Sequence, residues 1–190
     1  PGTTVAYVLQ HAGHRPWMPL TVDEVLAIGG YRTLGLLGRR TRESRAAVAE
    51  AADRLGVSDL GARQFGELSG GQKQRVLVAQ ALAQGAKLLL MDEPITGLDM
   101  ASQERILGVL DQETELGTTV VISTHNLDEA HHCEVVALLA NRMVAVGPPE
   151  DVLQTSILRQ AYSDDRFEAH RGHDHPSGVL LLDDHHHDHD

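Results

Sequence analysis

Aromatic residues make up only 3% of this 190-residue sequence, and it contains a single cysteine, Cys133. One thiol cannot form an internal disulfide, so nothing in the chain demands an oxidising compartment. So few rings leave no stacking surface for single-stranded nucleic acid. A formal net charge of −11 opposes a nucleic-acid backbone as the main partner. No apolar run approaches the ~20 residues that span a bilayer, and no signal peptide opens the chain. Together these absences predict a soluble, cytosolic protein. The sequence also lacks an initiating methionine: it opens on Pro1, which reads as a fragment or a processed product.

Hydrophobic residues make up 42% of the chain, enough to bury a core. Much of the negative charge is local, since residues 164–190 carry eight acids against two arginines. Residues 3–9 alternate and are rich in β-branched side chains, which predicts a short strand ending at Gln10. Thr21, with Glu24 three positions on, predicts the start of a helix that Gly29 and Gly30 stop. A second helix is expected over 42–55. Residues 87–91, Lys87 followed by the unbroken apolar run Leu88 to Met91, read as a strand buried on both faces of a parallel sheet. A helix over 102–116 and another buried strand over 118–123 follow. Asn126 and Glu129 then resemble a capping box. Residues 135–146 read as strand, turn at Asn141-Arg142, and strand, and 152–161 as a last helix. Alternation of strand and helix from 87 to 140 predicts an α/β fold with a parallel sheet flanked by helices.

Three short strings carry chemistry. In Leu68-Ser69-Gly70-Gly71-Gln72, Ser69 can cap the following helix, and the glycines let backbone N–H groups approach an anion. Such a string suits the grip of a terminal phosphate; its plain alternative is a flexible turn before a helix. Asp92 and Glu93 end the apolar strand, where parallel sheets place their ligands. Asp92 suits a Mg²⁺ ion and Glu93 the polarisation of an attacking water, unless the pair simply ends the strand in solvent. Asp99 follows in Gly97-Leu98-Asp99, able to cap the next helix or to reach a neighbouring subunit. His125 lies just beyond the strand at 118–123, and Gln10 at the end of the first.

In this order the strings resemble the ATPase subunits of ABC transporters, over about residues 3–160. Residues 7–10 look like the Q-loop, 68–72 the signature motif, 88–93 Walker B, 97–99 the D-loop, and His125 the H-switch. The resemblance implies a RecA-like P-loop NTPase core with an α-helical subdomain. It also implies ATP and Mg²⁺ bound between two subunits, a homodimer being expected. Gln10, Asp92, Glu93 and His125 would act on one side, with Asp92 and Gln10 holding the Mg²⁺. Ser69, Gly70, Gly71 and Gln72 would meet the γ-phosphate held by the other subunit, with Asp99 nearby. No Gly-x-x-x-x-Gly-Lys-Ser/Thr occurs, so the Walker A loop is absent, as is the upstream aromatic that stacks on adenine. Truncation ahead of the Q-loop strand explains both, and the fold is expected to be incomplete at its N-terminus. Expected boundaries are 1–10 for the end of the core, 11–75 for the helical subdomain, 76–162 for the remaining core and last helix, and 163–190 for a disordered tail.

Residues 140–153 with Ala161-Tyr162, and Pro19 to Val22, are similar to bacterial zinc/manganese importer ATPases. That likeness implies a membrane permease subunit, an extracytoplasmic metal-binding protein and a place on the cytoplasmic face of the inner membrane, with no nucleic-acid partner. The apolar cluster Trp17-Met18-Pro19-Leu20 is either the contact with the permease or part of the core. His173, His175, His185, His186, His187 and His189 of the tail, interleaved with acids, suit weak binding of zinc; a solubilising tail is the alternative. An ABC ATPase of other substrate or no transport role, and a non-catalytic metal-binding fragment, are the competing readings of the whole.

Overall fold

The computed structural model describes residues 5–9, 19–30 and 41–168. Gln10, Trp17, Met18 and the tail histidines lie outside the described residues. The chain divides into two compact units, Pro1–Ile122 and Ser123–Asp190, each with its own apolar core.

In the first unit, strand β1 (Val5–Val8) pairs in parallel with β2 (Leu88–Asp92), Val5 opposite Leu88 and Val8 opposite Met91. Strand β3 (Thr119–Ser123) lies on the other side of β2, giving the order β1-β2-β3. Parallel neighbours require a crossover. The first carries helices α1 (Val22–Gly29), α2 (Arg42–Arg54) and α3 (Gly70–Leu82), and the second carries α4 (Met100–Glu115). The architecture is α/β, as expected.

Local chemistry sets the helix starts. The Thr21 hydroxyl accepts from the Glu24 amide at 3.3 Å, and the Glu24 carboxylate accepts from the Thr21 amide at 2.8 Å. This reciprocal box begins α1, whose Val22, Val25 and Leu26 are buried. Gly29 sits where α1 meets α3 most closely: a Cβ there would lie 2.2 Å from the Gln80 carbonyl oxygen. Leu20 packs against the same core.

The buried face of the sheet carries Ala6, Val8, Leu89 and Met91. Burying Leu89 and Met91 is worth about 1.5–3 kcal/mol each, which anchors the strand that ends in Asp92. The alternate face is not covered in the same way. Val5, Tyr7 and Leu9 are about half exposed, and Leu88 and Leu90 are half-buried. Strand β3 departs from the expected buried strand: Thr119, Val121 and Ser123 are exposed. These three lie on the face opposite Val120 and Ile122, which pack against the core, so β3 is covered on one face only.

The second unit holds α5 (Leu127–Ala130), the antiparallel hairpin β4 (Val136–Ala140) and β5 (Arg142–Gly147), then α6 (Pro149–Val152) and α7 (Thr155–Glu168). Val136, Leu138 and Ala140 alternate inward and pack with Val152 and Ala161. The hairpin is tighter than expected: Arg142 already pairs with Ala140, and Asn141 alone makes the turn at φ 52°. The single helix expected over 152–161 is instead α6 followed by α7. Pro149 presets the first turn of α6, and the Leu153 amide closes it on the Pro149 carbonyl at 2.8 Å. Among the described residues no helix is long and apolar enough to cross a membrane.

Candidate functional site

Helix α3 opens on the glycine string. Ser69 is its N-cap, in an extended conformation, and its hydroxyl accepts from the Gln72 amide at 3.2 Å. The Gln72 side-chain oxygen accepts from the Ser69 amide at 3.0 Å, completing a second reciprocal box. Two of the turn's donors are thereby satisfied. The N–H groups of Gly70 and Gly71 precede the first bond of the helix ladder, which runs from the Lys73 amide to the Ser69 carbonyl. Ser69 and Gly70 are exposed and Gly71 is buried. The positive end of the helix dipole is therefore presented by a rigid, accessible turn, which suits an anion.

The two glycines differ in their surroundings. A Cβ on Gly70 would meet nothing within 4 Å, so the backbone there is open to a ligand. A Cβ on Gly71 would lie 2.5 Å from Ser102 Oγ and 2.7 Å from Asp99 Oδ2. Gly71 is thus held against the start of α4. Asp99 caps that helix: its Oδ1 accepts from the Ser102 amide at 2.9 Å and its Oδ2 from the Ser102 hydroxyl at 2.8 Å. Those bonds, the backbone one foremost, hold the Asp99 carboxyl below its ordinary 3.8. Of the two roles open to Asp99 in the sequence, the helix cap is present within the chain. Ser69, Gln72 and Asp99 line one open cleft of about 710 Å³ with Arg75, Arg105 and Gln112.

Strand β2 delivers the acid pair. Asp92 is its last residue, and both acids are half-buried. Glu93 follows at φ 45°, in the left-handed region that a residue with a Cβ seldom occupies. Pro94 and Ile95 are buried just beyond. A sharp turn is thus clamped between a buried strand and a buried anchor. A backbone held this way stores about 1–3 kcal/mol, and such strain gathers at functional sites.

His125 belongs to the second unit, on the loop between β3 and α5. The Thr124 hydroxyl donates to the Glu129 carboxylate at 2.5 Å and accepts from the Asn126 amide at 3.0 Å, so the residues on both sides of His125 are tied down. The expected Asn126–Glu129 box is not formed. Asn126 caps α5 by accepting from the Asp128 amide at 2.9 Å, while Glu129 turns inward and is only 7% exposed. A one-turn helix leaves the carboxylate closer to the preceding loop than to the cap.

Sequence reasoning missed the roles of Ser102 and Thr124, the turn of Glu129 toward Thr124, and three arginines. Arg75 donates to the carbonyls of Leu55 and Gly56 at 3.0 and 3.1 Å, and Arg105 to that of Arg54 at 3.2 Å. Arg54 itself pairs with Glu113 at 2.5 Å. The arginines neutralise the carbonyl end of α2 and tie it to α3 and α4, fixing the walls of the cleft. A signal existed only for Ser102, three residues after an Asp-capped helix start.

Residues 1–96 match the profile of the ABC transporter family. The chain is 37% identical over 182 residues to a chelated iron transport system membrane protein of Yersinia pestis, covering 95% of this chain and 60% of that one. It is 35% identical over 161 residues to a manganese transport system ATP-binding protein of Listeria innocua, covering 84% and 67%. Among solved structures, the ADP conformation of an ATP-binding cassette of an ABC transporter superposes with a TM-score of 0.67 at 26% identity, over 84% of this chain and 68% of that one. The chain belongs to the ABC transporter family, as a nucleotide-binding cassette. It spans about 60–67% of the length of these two curated relatives.

Proposed function

We propose that the complete protein is the ATP-hydrolysing subunit of a divalent-metal importer. Ser69, Gly70, Gly71 and Gln72 of one subunit grip the terminal phosphate of an ATP held chiefly by a second, identical subunit. Glu93 orients and polarises the attacking water, with His125 and Gln10 completing the set and Asp99 beside the gripping turn. Catalysis of phosphoryl transfer is largely positioning and charge stabilisation, which suits rigid, capped elements of this kind. Among the described residues no three His, Cys, Asp or Glu side chains form a metal cage. A single strand-end carboxylate is the donor set Mg²⁺ takes when phosphate oxygens supply the rest, so Asp92 is assigned to it. When bound, Mg²⁺ neutralises charge on the phosphate oxygens.

The observation that carries this reading is Glu93 at φ 45°, directly after Asp92 on a buried strand. The expected partners are a membrane permease subunit and an extracytoplasmic metal-binding protein, at the cytoplasmic face of the inner membrane. Manganese or chelated iron, named for the two curated relatives, is the cargo favoured over zinc. Residues 11–75 are taken as the helical subdomain, and the tail histidines as a weak zinc-binding segment. In the complete protein, Glu93→Gln should retain ATP binding and lose at least ~100-fold in turnover, the order expected for removal of a catalytic group. Turnover within two-fold of the parent would overturn the assignment.

A further inference from the structure

Gly71 and Ser102 point to a mechanical link inside one subunit. Ser102 is 4% exposed and spends both its amide and its hydroxyl on the Asp99 carboxylate. Its Oγ and Cβ also lie 2.5 and 3.1 Å from the point where Gly71 would carry a Cβ. The first turn of α4 therefore rests directly on the backbone of the first turn of α3. Both turns are stiff, one held by the Ser69–Gln72 box and the other by the doubled Asp99 cap. Two capped turns in contact through only the short Ser102 and Asp99 side chains cannot slide independently, because packed surfaces yield little. The open surroundings of Gly70 sharpen the point: of two adjacent glycines, only Gly71 is required by contact within the chain.

We propose that Ser102 is a positioning residue, which joins the Asp99 loop to the phosphate-gripping turn so that the two move as one piece. This rests on the nucleotide-hydrolysing reading above. It goes further in giving Gly71 a packing role and Ser102 a part in turnover. A displacement of the Asp99 loop, from whatever side it is pushed, shifts Ser69 and Gly70 with it, and gripping a phosphate shifts Asp99 in return.

The test is a compensation experiment on the complete ATPase, comparing Gly71→Ala, Ser102→Gly and the double variant for kcat, KM for ATP and melting temperature. Gly71→Ala forces a methyl into Ser102 and Asp99, and kcat should fall at least ~10-fold. Ser102→Gly alone should cost about 2–5-fold in kcat. The double variant, with room for the methyl, should return to within about three-fold of Ser102→Gly, a non-additivity that signals direct contact. A double variant as impaired in kcat as Gly71→Ala overturns the proposal, even if its melting temperature recovers. Ser102→Ala, which keeps the Cβ, guards against a double variant that does not fold. It should lower kcat about 2–3-fold, no more than Ser102→Gly does, with KM for ATP within two-fold of the parent, and an unchanged kcat would also count against the link. These failures are distinguishable from failure of the ATPase reading, which would appear as parent turnover insensitive to Glu93→Gln.

Discussion

The two ends of the candidate site in the first unit are built on opposite principles. At the start of α3 every local preference agrees: Ser69 at the cap, Gln72 three positions on, reciprocal hydrogen bonds and an extended cap residue. At the tip of β2 local preference is overruled, because Glu93 occupies a left-handed conformation that suits glycine or asparagine better. The relaxed end is held by its own hydrogen bonds. The strained end is held from outside, by Leu89 and Met91 on one side and Pro94 and Ile95 on the other. A turn that presents backbone N–H groups needs only local chemistry. A carboxylate that must point at one spot needs the whole core behind it.

That contrast can be broken from the relaxed end. Ser69→Ala removes the acceptor for the Gln72 amide and should cost about 0.5–2 kcal/mol of stability, as cap deletions do. A denaturant melt checks this. Loss of much less would mean the box is ornamental and the turn is held by Gly71 packing alone. A smaller effect sharpens the link to α4. The Asp99 carboxyl lies below its ordinary value, so the stabilisation it brings is fully present above pH ~3.8 and disappears as the pH falls through its folded-state value. Ser102→Ala removes one of the two bonds responsible, so Asp99 should titrate closer to 3.8 in an NMR titration of carboxyl resonances. An unmoved titration would mean the backbone bond alone holds the carboxylate.

Much of this was legible in the sequence because the devices are short-range. Thr21 with Glu24, Ser69 with Gln72 and Asp99 before α4 each announce a helix start within four residues, and each is found. The apolar run ending in Asp92 predicted β2 and placed the acid pair at its carboxyl end. What the sequence hid depends on distant neighbours. The exposure of Thr119, Val121 and Ser123 follows from which face of the sheet is covered, since Val120 and Ile122 are the residues of β3 that pack on the core. Glu129 looked like a cap partner because its spacing from Asn126 is right, yet burial turned it to Thr124. Gly70 and Gly71 are indistinguishable as letters. They differ only because α4, about 30 residues later, comes back to rest on one of them.

The strain at Glu93 is tested most directly by one paired measurement on Glu93→Asn in the complete protein, melting temperature and ATP turnover on the same sample. Asn tolerates φ 45° and relieves the backbone, so the melting temperature should hold or rise while turnover is lost. A melting temperature several degrees lower, or hydrolysis that survives, would contradict a conformation kept for chemistry rather than for folding.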